Sequence, residues 1–183
     1  MTDFLIFIIL SIPIVIVSWR ALFDIKSHGF YRFYAWELTL CLLICNYRYW
    51  FNDWLGIKQI ISWILLVFAL YTVIAGMKLL RSAQNPHHEK REDEALFQFE
   101  KTTVLVETGI FKYIRHPLYG SLIFLTWGIF LKHTVILSFL ISLISTAFLY
   151  FTATVDEKEC LEYFGDKYKH YMKRTKMFIP FLF

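Results

Sequence analysis

The polar side chains best suited to chemistry collect just before an apolar segment of the chain. Tyr113, Arg115, His116 and Tyr119 lie close together, and the sequence becomes apolar immediately afterwards. Arginine forms paired hydrogen bonds to a carboxylate or phosphate, histidine transfers protons near neutral pH, and tyrosine rings attract cations such as a sulfonium. Charged groups at the mouth of a membrane segment are costly unless they pair or bind a ligand. We therefore expect residues 102–121 to form the functional site.

A second polar pair, Asp156 and Glu157, follows the last apolar segment. These carboxylates can accept hydrogen bonds from ribose hydroxyls or bind an ammonium group. On a helix, adjacent residues point about 100° apart, so only one of the two faces a cleft squarely. Asp156 shares its face with the small residues Thr152 and Cys160, which favours Asp156 as the pocket residue and Glu157 as the partner of a base such as Arg115. The alternative is structural, with the basic residues anchoring the interface and the two acids beginning a soluble helix.

The composition of the chain is typical of a membrane protein. Of its 183 residues, 57% are hydrophobic and 20% are aromatic, which is too apolar for a soluble domain of this length. The formal net charge of +4 is modest and suits a membrane surface better than nucleic acid. The sequence therefore predicts an all-α multi-pass membrane protein, with the lipid bilayer as a partner and no nucleic acid.

Apolar stretches predict about five transmembrane helices in a single domain, 1–183. A span needs about 20 apolar residues, and the fourth stretch is short. The first stretch has no basic segment before it, so we expect a retained helix and no cleaved signal peptide. The tail, 155–183, predicts an amphipathic helix at the membrane interface. The predicted spans are 4–19, 34–50, 59–77, 118–131 and 134–152.

The distribution of Lys and Arg predicts the orientation in the membrane. Cytoplasmic segments are enriched in basic residues; with the N-terminus outside, only Arg48, Lys58 and Lys132 remain on the outer side. The polar stretches 102–121 and 152–180 then lie together on the cytoplasmic face. We expect them to form a C-terminal cofactor-binding region that a charged ligand enters from the cytoplasm and a lipophilic substrate enters from the bilayer.

The spacing of cysteine and histidine gives no indication of a metal site. Cys41 and Cys45 lie on one helix face, which is typical of helix packing, and Cys160 has no CxxC partner. The adjacent His87 and His88 do not share a helix face and belong to a charged loop. We therefore predict no bound metal and no disulfide.

Two motifs give a resemblance to a known superfamily. The segment LVETGIFKYIRHPLY, residues 105–119, resembles the signature of the isoprenylcysteine carboxyl methyltransferase and phospholipid methyltransferase superfamily. The tail from residue 156 to residue 180 is similar to the second motif of that superfamily, and the first hundred residues resemble it only in hydropathy. The matching positions are Leu105, Val106, Gly109, Phe111, Arg115, His116, Pro117 and Tyr119, then Asp156, Glu157, Phe164, Gly165, Tyr168, Tyr171, Arg174 and Pro180.

The resemblance implies an integral-membrane enzyme that transfers a methyl group from S-adenosylmethionine to a lipophilic acceptor. It also implies that Asp156 or Glu157 is the acidic cofactor contact, and that Arg115, His116 and Glu157 are the catalytic residues. The other cofactor-binding residues that it implies are Thr103, Val104, Leu105, Val106, Gly109, Phe111, His116, Pro117, Leu118 and Tyr119.

The chain departs from the family pattern at positions that bear on the acceptor. The family usually has tyrosine where this chain has Phe111, and Gly120 follows the motif tyrosine directly. Isoprenylcysteine enzymes carry an arginine four residues before the cofactor acid, where this chain has Thr152 or Ala153. These differences weaken an assignment to isoprenylcysteine-carboxylate-like acceptors and leave phospholipid-amine-like acceptors as the other class.

Two further functions are compatible with the same pattern of apolar segments. One is an NADPH-dependent membrane reductase related to sterol reductases, although the sequence contains no clear dinucleotide fingerprint. The other is a non-catalytic membrane protein that retains the fold. The sequence predicts neither the acceptor nor the oligomeric state.

Overall fold

The computed structural model describes residues 2–83 and 102–180. Within these ranges the protein is all-helical, as the sequence predicts, and contains no strand. Short 3-10 turns lie at Ala21–Phe23, Tyr47–Tyr49 and Gly109–Lys112. The α-helices of this part are α1 (Thr2–Ser18), α2 (His28–Asn46), α3 (Ile57–Ser82), α4 (Pro117–Phe130), α5 (Ile136–Phe164) and α6 (Asp166–Arg174).

Each predicted apolar stretch corresponds to one helix, but α2 begins well before residue 34. The Ser27 side chain accepts a hydrogen bond from the backbone N–H of Phe30 at 3.3 Å. Such an N-cap satisfies a donor that the helix leaves free, and it starts α2 at His28. The helix ends at Asn46, because the next residues form a 3-10 turn.

The tail differs from the predicted single amphipathic helix. Its first residues, 155–164, continue α5 as far as Phe164, so α5 is longer than the predicted span. Gly165 then has a φ of +60°, a backbone conformation that glycine adopts with little steric cost. The chain turns there, and the separate short helix α6 begins at Asp166.

The helices pack with polar contacts between their apolar faces. α3 packs on α4, α2 packs on α5, and α1 lies against α2. The Thr39 hydroxyl of α2 is 2.9 Å from that of Thr126 in α4 and 3.2 Å from that of Ser145 in α5. The Asn46 side-chain amide donates to the carbonyl of Ile129 at 3.0 Å. Buried hydroxyl and amide bonds of this kind are typical of helix association in membranes.

Two helices, α3 and α5, are long and apolar enough to cross a bilayer. Only 22% of the most apolar window of α3 and 33% of that of α5 are buried within the protein, so most of these apolar side chains face outward. A soluble monomer rarely exposes so much contiguous apolar surface. The helices α1 and α4 are apolar but shorter. These features indicate a membrane location, and the crossing of the bilayer by five helices stays a prediction.

Candidate active site

Three backbone hydrogen bonds join the segment before α4 to the tail after α6. The N–H of Lys176 donates to the carbonyl of Tyr113 at 3.0 Å. The N–H of Arg115 donates to the carbonyl of Lys176 at 2.8 Å, and that of His116 donates to the carbonyl of Met177 at 3.1 Å. The tail therefore fixes the backbone of Arg115 and His116, the two residues directly before α4.

The Arg115 side chain braces the tail. Its Nε donates to Glu157 Oε1 at 2.6 Å, and its Nη1 donates to the carbonyls of Met172 and Thr175 at 3.3 and 2.5 Å. The two side chains of the ion pair are only 10% and 9% exposed. Charged side chains with so little exposure to water require an oppositely charged partner and further hydrogen bonds. Arg115 and Glu157 thus form the pair that the helix periodicity of the sequence favours.

His116 lies between two carboxylates at the N-cap position of α4. Its Nδ1 is 3.5 Å from Asp156 Oδ2, and its Nε2 is 3.3 Å from Glu157 Oε1. Burial alone would lower the pKa of His116. The hydrogen bonds and negative charges of Asp156 and Glu157 outweigh that effect, so its pKa lies above the ordinary value. The ring also stacks on Tyr119, with 5.4 Å between ring centroids.

A cavity of about 670 Å³, including its open mouth, lies beside His116 and Asp156. Its lining is predominantly apolar with a few convergent polar groups, which is the usual character of a small-molecule site. The cavity brings together most of the site residues that the sequence predicts. Those that line it are Leu105, Val106, Phe111, Arg115, His116, Pro117, Leu118, Tyr119 and Asp156.

Four predicted residues lie outside this lining. Thr103 and Val104 line a neighbouring surface cavity. Gly109 is the first residue of the 3-10 turn and has a φ of +57°, and a Cβ there would lie 2.6 Å from Leu79 Cδ1. Glu157 lies behind the cavity wall, where it binds two residues of the site. Cofactor contacts by these four residues stay predictions.

The predicted site residues, catalytic and cofactor-binding together, omit six residues that line the cavity. Three are aromatic residues of the tail motif, and the Tyr171 hydroxyl donates to the carbonyl of Phe111 at 2.6 Å. Burial raises the pKa of Tyr168 and of Tyr171, so both phenols stay neutral. Cys160 lies one turn after Asp156, on the helix face that the sequence analysis assigns to the pocket. The six residues are Leu80, Thr102, Cys160, Phe164, Tyr168 and Tyr171.

A second polar cluster includes Asp156 together with His28 and Glu159. His28, the first residue of α2, is fully buried, and its Nδ1 is 2.6 Å from Glu159 Oε2. The backbone N–H of His28 also donates to Glu159 Oε1 at 3.1 Å. One ligating atom from each of His28, Asp156 and Glu159 lies within 4.8 Å of the other two. The sequence analysis missed this cluster, because nothing local relates residue 28 to the end of α5.

Of the residues that the sequence analysis considered for metal binding, the three cysteines belong to no such cluster within the described part of the chain. His87 and His88 lie outside the described residues. Cys41, Cys45 and Cys160 are free thiols. Among the described residues, the group of His28 with two carboxylates is the one arrangement whose atoms are close enough to hold an ion.

Comparisons with known proteins agree with the motifs. The family model described as phospholipid methyltransferase matches residues 57–167. The chain is 29% identical over 73 residues to methanethiol S-methyltransferase of Pseudomonas deceptionensis, which covers 40% of this chain and 27% of that protein. It is 27% identical over 119 residues to methanethiol S-methyltransferase 1 of Bradyrhizobium diazoefficiens, which covers 65% of this chain and 39% of that protein.

These similarities involve only part of each relative. The matched stretches span about a quarter to two fifths of the length of the two curated relatives. No solved structure matches the chain.

Proposed function

Since the chain belongs to the phospholipid methyltransferase family, we propose that it transfers a methyl group from S-adenosylmethionine to a small lipophilic acceptor at the membrane. The observation that carries the proposal is the cavity beside His116 and Asp156. It combines an apolar lining with a buried histidine and a carboxylate, beside helices that expose apolar surface. Family membership supports methyl transfer over nicotinamide-dependent reduction.

The residues around the cavity fit S-adenosylmethionine in chemical type. Asp156 offers a carboxylate that can accept hydrogen bonds from ribose hydroxyls, and its side chain is 14% exposed. The rings of Phe111, Phe164 and Tyr168 offer faces for an adenine and for a sulfonium. When bound, the cofactor supplies an electrophilic methyl group. Arg115 is already held by Glu157 and the tail, so we assign it a positioning role.

A thiol is our first candidate for the acceptor, since both curated relatives are named for methanethiol methylation. A carboxylate acceptor needs a cationic partner, and the positions Thr152 and Ala153 carry none. Methylation of a thiol converts the sulfonium and the thiol into two neutral thioethers and one proton. His116 lines the cavity and can hold that proton when its ring is neutral.

A second, almost wholly apolar cavity supports an approach of the acceptor from the bilayer. It has a volume of about 920 Å³, including its opening, and lies between α4, α5 and the tail. Phe178 forms part of its wall, and the Phe178 ring centroid is 6.2 Å from that of His116. Tyr119 lines the cavity beside His116, and Phe178 lines this second cavity.

The proposal can be tested on the full chain purified into lipid nanodiscs. Radiolabelled S-adenosylmethionine is supplied with methanethiol, with phosphatidylethanolamine or with a farnesylated cysteine. We expect labelled dimethyl sulfide in the headspace with methanethiol, and little product with the farnesylated cysteine. If the label were found only in phosphatidylethanolamine, the acceptor would instead be a lipid amine.

Cofactor binding is measured separately by calorimetry with S-adenosylhomocysteine and with NADPH. We expect Asp156→Asn to weaken S-adenosylhomocysteine binding about tenfold, through loss of a charge-assisted hydrogen bond. The exposed Asp166→Asn is the matched control and should bind normally. Binding of NADPH without binding of S-adenosylhomocysteine would overturn the proposed function.

A further inference from the structure

His28 is held in a fixed position next to the candidate active site. Glu159 contacts both the Nδ1 atom and the backbone N–H of His28, at 2.6 and 3.1 Å. The imidazole is fully buried, and its Nε2 has no hydrogen-bond partner within the described residues. Its ring does not line the cavity. Any influence of His28 on the chemistry must therefore pass through a neighbour.

Asp156 is that neighbour. Its Oδ2 is 3.5 Å from His116 Nδ1 on the cavity side. On the other side, a carboxylate oxygen of Asp156 lies within 4.8 Å of the His28 and Glu159 atoms of the second cluster. The Cys160 thiol donates to Asp156 Oδ1 at 3.6 Å. One carboxylate is thus placed between two buried histidines from different helices.

Other charged groups also face these two rings. His116 is faced by Asp156 and Glu157 from α5, with Arg115 beside it on its own segment. His28 is faced by Glu159 and Asp156 from α5, and by Arg32 from its own helix. Asp156 is the one carboxylate common to both sets of partners.

We propose that His28 is a positioning residue of the methyl-transfer site: it shares the Asp156 carboxylate with His116 and so limits how strongly that carboxylate holds a proton on His116. This inference rests on the proposed function, because it concerns the ring that takes the acceptor proton. Burial lowers the pKa of His28, but the hydrogen bond to Glu159 and the negative charges of Asp156 and Glu159 outweigh burial and raise that pKa above its ordinary value. When both rings are protonated, they compete for the Asp156 carboxylate. With His28 in place, His116 loses its proton at a lower pH and becomes a proton acceptor closer to neutrality.

The enzymatic test is the pH dependence of kcat/KM for thiol methylation by the full chain in nanodiscs. Asparagine in His28→Asn keeps a side-chain donor for Glu159 and removes the titrating ring. We expect the acid limb of the profile to move upward by about one pH unit, a shift of the size that one nearby charge produces. The activity lost near neutral pH should return at higher pH, which a merely misfolded variant would not show.

The control variant is Ser27→Ala. It removes the N-cap hydrogen bond to Phe30 at the start of the same helix and leaves the contact of Glu159 with His28 in place. We expect its acid limb to coincide with that of the unaltered protein. An equal shift in Ser27→Ala and His28→Asn would overturn the proposal, since loosening of α2 would then explain both.

A measurement without turnover separates this inference from the proposed function. Titration of the His116 ring by NMR, with ¹⁵N-labelled histidine and assignment through His116→Gln, should show a higher midpoint in His28→Asn. That shift in a protein that methylates nothing would refute the function and retain the coupling of the two rings. An unchanged midpoint overturns the inference whatever the activity. Zinc binding that removes the His28 signal also overturns it, because the cluster would then be a metal site.

Discussion

Glu157 accepts hydrogen bonds from two cationic side chains through one oxygen atom. Its Oε1 is 2.6 Å from Arg115 Nε and 3.3 Å from His116 Nε2. The Glu157 carboxylate is nearly excluded from water. If it were removed, water could not readily take its place as the partner of Arg115 and His116. Breaking a buried pair from one side leaves the other charge uncompensated, which is more costly than losing an exposed pair.

We expect Glu157→Gln to lower the free energy of unfolding by about 3 kcal/mol, because Arg115 would stay buried without its counter-charge. Chemical unfolding in detergent, followed by tryptophan fluorescence, measures this change. The exposed Glu162→Gln is the control in the same helix and should change stability little. Equal stabilities of the two variants would contradict the role of Glu157.

The ionisation of His116 predicts how stability depends on pH. Its pKa in the folded protein lies above the ordinary value of 6.5, so the folded state binds this proton more tightly than the unfolded state. The stabilisation is complete below about pH 6.5 and is lost as the pH rises through the raised pKa. We expect the difference in Tm between the unaltered protein and His116→Gln to be larger near pH 6 than near pH 9. Equal differences at both values would show that the ring does not titrate in this way.

At the scale of the elements, the break between α5 and α6 sets the position of the tail. Gly165 has a φ of +60° and a ψ of −134°, a combination nearly restricted to glycine. No atom lies within 4 Å of the place where a Cβ would be. A side chain at this position would therefore strain the backbone without any steric clash.

We expect Gly165→Ala to destabilise the protein by about 1–3 kcal/mol, through backbone strain alone. Because α6 carries Tyr168 and Tyr171 to the cavity, binding of S-adenosylhomocysteine should weaken as well. Thermal unfolding and calorimetry measure the two effects. Gly120→Ala is the control, since its Cβ would meet the Phe178 carbonyl oxygen at an ordinary 3.6 Å. A Gly165→Ala variant as stable as Gly120→Ala would contradict the strain argument.

The sequence predicts the helices and the cavity-lining motif well, because both depend on local patterns. Apolar runs give the helices, and the spacing around Arg115 and Asp156 gives residues that the fold brings together. The early start of α2 could have been predicted from Ser27 as an N-cap.

The contacts that could not be predicted are those made between distant segments. Lys132 lies in the sequence at a polar break between two apolar stretches, on the predicted outer side. In the structure it is buried, with its Nζ 3.0 Å from Gln59 Oε1 and 3.5 Å from the Trp63 ring centroid. The contact of His28 with Glu159 is of the same kind. Neither hydrophobic periodicity nor motif spacing carries information on such pairs.

At the scale of the whole molecule, the distribution of charge predicts an orientation in the membrane. The outward-facing apolar surfaces of α3 and α5 indicate a bilayer, and basic residues favour the cytoplasmic side. The candidate site has two halves, the segment before α4 and the end of α5. A hairpin of these two helices therefore requires both halves to be on one side of the membrane.

We expect reporter fusions after Lys132 and after Phe183 to report opposite sides of the membrane, with the fusion after Phe183 in the cytoplasm. The physical reason is the excess of Lys and Arg in the segments beside the candidate site. A pair of reporters, one active only in the cytoplasm and one only outside it, makes both results positive signals. Reports from the same side would show that α4 and α5 do not form a transmembrane hairpin.

The backbone pairing of Tyr113, Arg115 and His116 with Lys176 and Met177 has a consequence for biosynthesis. A ribosome makes α4 and α5 before it makes the residues that pair with the segment at the start of α4. Until Met177 has left the exit tunnel, the backbone N–H groups of Arg115 and His116 lack their partners. The nascent chain therefore has no finished pocket at that stage, and a ligand of the cavity can bind only after the tail has folded back.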